Sequence, residues 1–453
     1  MITPLRLSQV QTVTGGTLTV ADAVFASVST DTRTVQPGDL FVALKGPNFN
    51  GNAFLAVAAE KKAAAALVSE AVTGLLPTLQ VADTRIALGQ LARHNRRLSS
   101  ARVIALTGSQ GKTTVKEMTA AILREAGTVL STQGNLNNDY GVPLTLLRLE
   151  ATHQFAVIEM GANAGGEIAY TTALAEPDIA HITCVAPTHV EGFGSLQGVA
   201  CAKAEIWQGL GDGGIAVLNL DDANVMEHYV PRTGVKVVTI SANGKTWADY
   251  RLAAVIDRGL AGSEFELQSP QGAVKLRLEL PGLHNAANAL AAAVIAVEAG
   301  ATLSQVRSGL GNMHSVKGRL VVRRGKNGAV ILDDTYNASP ASFKAAIDVL
   351  ATQQGLRIVV GGDMGELGSL EEVGHQEVGV YAKAKGIERF YATGNLMKKA
   401  LAAFGTDAVH ATDCVVLAAL LQPLLDANVS VLVKGSRSAG MERVVQLLID
   451  KGD

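Results

Sequence analysis

Val103-Ile104-Ala105-Leu106-Thr107-Gly108-Ser109-Gln110-Gly111-Lys112-Thr113-Thr114 reads as a short apolar strand, a glycine turn and the opening of a helix that continues from Val115 to Arg124. That order builds a phosphate site. Glycines let backbone N–H groups approach a polyphosphate, and the helix N-terminus adds positive dipole. In such a loop Lys112 reaches the β- and γ-phosphates and the Thr113 hydroxyl holds Mg²⁺. Leu106 stands where the usual phosphate loop has its first glycine, so the pattern is the tighter G-x-x-G-K-T-T that starts at Gly108.

Downstream, Phe155 to Gly161 reads as a buried strand with Glu159 near its C-terminal end. Ligands sit at that end of open parallel sheets, which suits Glu159 as a Mg²⁺ partner; a solvated strand-end carboxylate would look the same. Asn135, Asn137 and Asn138 crowd a glycine-bounded loop between the two strands. They offer neutral donors and acceptors to a polar ligand, although turns favour asparagine as well. A third strand, Ile179 to Val185, leads through Pro187-Thr188-His189 to a helix that carries Lys203. Gly214 to Leu220 and Val235 to Ile240 add apolar strands, and residues 250 to 280 alternate as half-exposed antiparallel strands. Gly282 to Asn288 opens an alanine-rich helix that runs to Ala299.

These elements make a central unit of about residues 85–315. Before it, residues 1–84 form a smaller unit around Ser29-Thr30-Asp31-Thr32-Arg33, a buried strand Leu40 to Leu44, and Lys45-Gly46. Thr32, Arg33, Lys45 and Gly46 could bind a diphosphate; a polar turn with a surface arginine fits the same residues. Glu60 to Leu67 is predicted as an alanine-rich helix and Arg85 to Leu98 as another. After the central unit, residues 316–453 alternate strand and helix, with strands at Ala329–Leu332, Ile358–Val360, Arg389–Ala392 and Val429–Val433 and a last helix from Met441 to Ile449. Such alternation predicts a parallel sheet with right-handed crossovers. The expected fold class is therefore α/β in three domains: a small N-terminal α/β domain, a central P-loop ATPase-like domain with an added antiparallel sheet, and a C-terminal Rossmann-like domain.

Composition agrees with this organisation. At 453 residues the chain exceeds one domain, and 48% hydrophobic content can fill several cores. A net charge of −2 gives no bulk reason for nucleic-acid binding. Three scattered cysteines form no metal or disulfide pattern and suit a reducing compartment. Met1 to Arg6 lacks a signal-peptide layout, and the apolar run Ala289–Val297 stops at Glu298, too short to span a bilayer. A soluble cytoplasmic protein is expected.

Taken together, the Thr107–Thr114 loop, Glu159, His189, Lys203, His284-Asn285 with Asn288, Gly318-Arg319 and Asp333-Asp334 resemble the Mur ligases across essentially the whole chain. That family makes amide bonds in peptidoglycan synthesis at the expense of ATP. Asp333 to Pro340 and Gly361 to Gly368 look like the member that acts last, which implies UDP-N-acetylmuramoyl-tripeptide and D-alanyl-D-alanine as partners; a monomer is expected, although the sequence leaves the oligomeric state open. The resemblance implies roles. Lys112 and the loop Thr107, Gly108, Ser109, Gln110, Gly111, Thr113 and Thr114 hold ATP; Thr113 and Glu159 bind one Mg²⁺. His189 and a carbamylated Lys203 serve a second. Asn288 meets the adenine side, Arg319 and Asp334 close on ATP from the third domain, and Thr32, Arg33, Lys45 and Gly46 grip the UDP sugar. Tyr336, Asn337, Lys434, Ser436 and Arg437 lie in loops expected to receive the dipeptide, with Arg437 or Lys434 facing its carboxylate. A folylpolyglutamate-type ligase and a non-catalytic P-loop binding module are the alternative readings.

Overall fold

The computed structural model describes residues 1–19, 22–46, 48–72, 75–188, 190–313 and 315–450; His189 therefore lies outside the described residues. Three sheets carry the chain. The first has five strands in the order Thr17–Leu18, Thr78–Gln80, Ala65–Val68, Leu40–Val42, Val28–Ser29. All its neighbours are parallel except the first pair. Here the predicted Glu60–Leu67 helix is corrected. The helix is Leu55–Glu60, and Ala65–Val68 is a fully buried strand. Lys62 takes a positive φ of 62°, which ends the helix. Helix propensity spans only ~1 kcal/mol per residue between alanine and glycine, so burial between two parallel neighbours overrides it.

The second sheet has nine strands, and the phosphate-loop strand Arg102–Thr107 sits between Phe155–Glu159 and Ile179–Ile182. Six strands, then Tyr250–Asp257, are parallel; Ser263–Ser269 and Gly272–Leu278 then run antiparallel. The antiparallel strands thus continue the same sheet. Val103 to Thr107 are all fully buried, because helices cover both faces. Lys112–Arg124 and Leu283–Glu298 pack on one face, filling a core with Ile104, Leu106, Val115 and Ala289. On the other face Thr84–Arg97 joins the central core to that of the N-terminal unit, so Leu40 and Leu67 share one cluster with Val103 and Ala105.

The third sheet has six strands in the order Val321–Arg324, Val330–Asp334, Val429–Lys434, Leu356–Gly361, Arg389–Thr393, Ala408–Ala411. The sequence does not foretell its two edges. Val321–Arg324 is antiparallel to its neighbour, and the rest are parallel. Its two faces carry separate apolar cores, one around Phe343 and Phe390, the other around Ile358 and Val431. Among the described residues no helix is long and apolar enough to cross a membrane.

Candidate active site

The phosphate loop leaves the sheet at Thr107, whose hydroxyl donates to the Met160 carbonyl at 2.7 Å. Gly108 and Gly111 have positive φ of 150° and 79°. A β-carbon on Gly108 would run into the Thr183 hydroxyl, and one on Gly111 would lie 2.6 Å from Asn288 Oδ1. Both positions demand glycine twice over, by conformation and by space. The Ser109 amide donates to the Cys184 carbonyl at 2.8 Å, its hydroxyl donates to Ala186 at 2.9 Å, and Thr183 Oγ1 donates to the Gln110 carbonyl. The loop is thereby fixed to the end of the neighbouring strand, a contact that sequence reading missed. Thr183 and Cys184 could have been found as the residues at the carboxyl end of the strand beside the loop.

Lys112 opens the helix and its Nζ donates to the Gly108 carbonyl at 2.6 Å. Burial pulls this ammonium below the ordinary lysine range, Glu159 opposes that, and Arg319 adds to it. Glu159 is 2% exposed. Asn137 Nδ2 donates to its Oε1 at 2.8 Å, while Oε2 is buried without a hydrogen-bond partner. Asn137 thus orients the carboxylate. Asn135 is exposed, and Asn138 accepts from the amides of Tyr140 and Gly141 in the turn that leads into the helix Gly141–Leu146.

Lys203 is 2% exposed in the helix Leu196–Ala204 and forms no hydrogen bond or ion pair among the described residues. Burial, reinforced by the Lys112 charge and opposed by Cys184, draws its pKa down to about 7. Its Nζ lies 5.9 Å from the centre of the Phe193 ring.

The third unit reaches the loop directly. Arg319 Nη2 donates to Thr113 Oγ1 at 3.3 Å, and its guanidinium stacks 4.1 Å above the Tyr336 ring. Its Nε is buried and unpaired. Gln110 Nε2 donates to Ser339 Oγ at 3.2 Å. These contacts enclose a cleft of about 340 Å³ lined by Ser109 to Thr114, Asn288, Arg319, Asp334 and Asn337, among others. Volumes of this order suit a small-molecule ligand. Asn288 is held by Asn285, its Nδ2 donating to Asn285 Oδ1 at 3.1 Å.

Other predicted residues are engaged elsewhere. Lys434, 2% exposed, donates to Asp334 Oδ2 at 2.5 Å and to the Asn337 carbonyl at 2.9 Å. Ser436 donates to the Asp363 carbonyl at 2.6 Å. Arg437 is exposed and 3.9 Å from Glu442. In the N-terminal unit Arg33 clamps Asp31, whose pKa it lowers to about 2, chiefly by hydrogen bonding. Lys45 pairs with Glu70 at 2.8 Å, Gly46 lies in the short Lys45–Gly46 strand, and Thr32 is half-buried. None of these four lines the cleft.

Magnesium fits the loop end of the central sheet. A Glu159 carboxylate oxygen buried without a hydrogen-bond partner among the described residues, and the Thr113 hydroxyl in the cleft wall, are the hard oxygen donors that this cation takes, although Glu159 itself is not among the residues lining the cleft. No cluster of three or more His, Cys, Asp or Glu suited to a metal occurs among the described residues.

A phosphate loop held against a second α/β unit across a cleft defines a nucleotide-using ligase architecture, and comparison with known proteins agrees. The profile described as "Mur ligase family, catalytic domain" matches residues 24–96, "Mur ligase middle domain" matches 106–296, and "Mur ligase, glutamate ligase domain" matches 318–437. The chain belongs to the Mur ligase family. It is 46% identical over 450 residues to the UDP-N-acetylmuramoyl-tripeptide–D-alanyl-D-alanine ligase of Escherichia coli (strain K12), covering 99% of each chain. A solved MurF from Acinetobacter baumannii superposes with a TM-score of 0.91 at 34% identity, over 98% of each chain. A MurF ligase from Thermotoga maritima, solved in complex with ADP, gives 0.82 at 27% identity, over 93% of this chain and 96% of that one.

Proposed function

We propose that this chain joins D-alanyl-D-alanine to UDP-N-acetylmuramoyl-tripeptide, consuming ATP and releasing ADP and phosphate, as an enzyme of peptidoglycan synthesis. The observation that carries this reading is the phosphate loop with Lys112 at a cleft closed by Arg319 from the third unit. The whole-length match to ligases of that name supports the choice of substrates.

The tripeptide carboxylate attacks the γ-phosphorus of ATP; the bond to the bridging oxygen breaks and ADP leaves, giving an acyl phosphate. The dipeptide amine then attacks the acyl carbon, the bond to phosphate breaks, and the amine sheds its proton to solvent. Lys112 and the amides of Ser109 to Thr114 hold the β- and γ-phosphates, and Lys112 exchanges its Gly108 carbonyl for them. Arg319 adds positive charge from the opposite wall as charge builds on the transferring group. Asn288 lies toward the adenine, with Asp334 near the ribose side. Thr113 and Glu159 would hold Mg²⁺, which when bound supplies further positive charge to the phosphates. Closure of the third unit through Arg319–Thr113 and Gln110–Ser339 keeps water from the acyl phosphate.

As a carbamate, Lys203 would hold a second Mg²⁺ together with His189. Burial draws the pKa of the Lys203 amine down to about 7, so a substantial fraction is the neutral nucleophile at neutral pH. The nitrogen lone pair forms an N–C bond to CO₂ as one C=O π pair moves onto oxygen, and the nitrogen loses a proton to solvent, turning a neutral amine into an anionic oxygen donor. Thr32, Arg33, Lys45 and Gly46 grip the UDP sugar, Asn135, Asn137 and Asn138 border its path, and Tyr336, Asn337, Lys434, Ser436 and Arg437 border the dipeptide. The location is cytoplasmic and the acting unit is the monomer.

The test is orthophosphate release with each substrate omitted in turn. Release that needs both the UDP-tripeptide and the dipeptide supports the reading; release from ATP alone at the full rate overturns it.

A further inference from the structure

A second cavity, of about 600 Å³, opens on the seam between the N-terminal and central units and shares no residue with the cleft. Its walls include the outermost strands of both sheets, through Val28 on one side and Val129 to Ser131 on the other. Arg124, Arg148 and His153 line it, with Glu150 as the opposing charge. Neither guanidinium has a hydrogen bond or ion pair among the described residues, and the Arg148 Nη1 atom is itself buried.

That is an unusual state for the half-buried Arg148, whereas Arg124 is exposed at the mouth of the cavity. Arg96, on the helix Thr84–Arg97, shows how this fold treats an arginine that has only protein to bind. Its guanidinium donates to the carbonyls of Ala175 and Glu176 and lies 3.4 Å from Asp178. Leaving a buried charged donor unpaired costs more than the usual ~1–3 kcal/mol of a neutral one. His153 adds a donor. Its Nδ1 accepts from the Glu150 amide at 3.0 Å, so the neutral ring carries its proton on Nε2.

We propose that this seam cavity binds a phosphate-bearing small molecule, its phosphate held between Arg148 and Arg124 with His153 as an additional donor. Two guanidinium forks match phosphate oxygens in geometry and charge, and the volume exceeds that of a bare ion. Arg124 is the last residue of the helix that begins at Lys112, so the two anion sites stand at opposite ends of one rigid element.

The experiment is calorimetric titration with inorganic pyrophosphate in metal-free, phosphate-free buffer, using the Lys112→Ala protein so that the phosphate loop is disabled. One saturable site per chain is expected, weakened tenfold or more by adding Arg148→Gln and severalfold by adding Arg124→Gln. In the same buffer the Arg148→Gln change should leave the melting temperature equal or higher, since its guanidinium has no protein partner to lose. Pyrophosphate should raise the melting temperature only where Arg148 is present. No saturable binding, equal binding with and without Arg148 and Arg124, or an Arg148→Gln protein that melts lower and binds pyrophosphate undiminished would overturn the assignment.

Discussion

Two buried charge clusters sit at the carboxyl ends of two parallel strands, and they differ in what is left unpaired. At the end of Val429–Lys434, the Lys434 ammonium is satisfied by Asp334 and the Asn337 carbonyl, while the other Asp334 oxygen accepts from the Leu320 amide at 3.1 Å. At the end of Phe155–Glu159, one Glu159 oxygen has no hydrogen-bond partner among the described residues, and the buried Lys203 forms no hydrogen bond or ion pair among them either. A closed network holds a fold together. An open one, kept at the cost of buried unsatisfied polar atoms, marks where a ligand completes the bonding. The first cluster therefore positions loops around the cleft, and the second leaves bonding capacity open, as the Mg²⁺ role proposed for Glu159 requires.

The largest effect expected is from Lys112→Ala, which should lower kcat/KM by about 10²- to 10³-fold, since preorganised charge at a transferring group is worth on the order of 3–4 kcal/mol. Thermal melting of the free protein should change little. Near-normal turnover would remove the loop from the mechanism. Asp334→Asn sharpens the contrast from the other side. It strands a buried Lys434 charge, so stability should fall by about 3–5 kcal/mol, read from denaturant midpoints. Glu159→Gln should leave stability nearly unchanged while abolishing Mg²⁺-dependent turnover. Equal destabilisation by both changes would erase the distinction.

Lys203 allows a pH test. Its folded pKa is depressed to about 7, below the unfolded lysine value of about 10.4. Between those values the unfolded chain binds more protons, so stability should rise with pH across that window in CO₂-free buffer. Lys203→Met should flatten this rise. Lys203→Ala should lose activity, and short carboxylates should restore part of it; a variant with normal turnover would end the carbamate proposal. The smallest effect belongs to Arg437→Ala. Its side chain is 72% exposed with one long ion pair, and exposed pairs are worth about 0–1 kcal/mol. A rise in KM for the dipeptide of severalfold, with KM for ATP unchanged, is expected from steady-state kinetics.

Much of this was legible in sequence because each signal was local. The strand, glycine turn and Lys-Thr-Thr of residues 103–114 specify their own geometry, and the alternation of residues 264–278 gave the antiparallel strands directly. Ala65–Val68 was illegible because alanine's helix preference is a local signal and its burial between two strands is not. The pairing of Lys434 with Asp334 joins residues 100 apart in sequence. Nothing short of the fold could show that this lysine is already engaged, or that the Asn137 amide donates to Glu159.

The most direct measurement of the central claim is orthophosphate release by the intact protein with ATP and Mg²⁺, varying UDP-N-acetylmuramoyl-tripeptide and D-alanyl-D-alanine independently. The account predicts release that requires both and matches the amount of pentapeptide product one to one. Release that is indifferent to the dipeptide, or product formed equally well with free D-alanine, would contradict it.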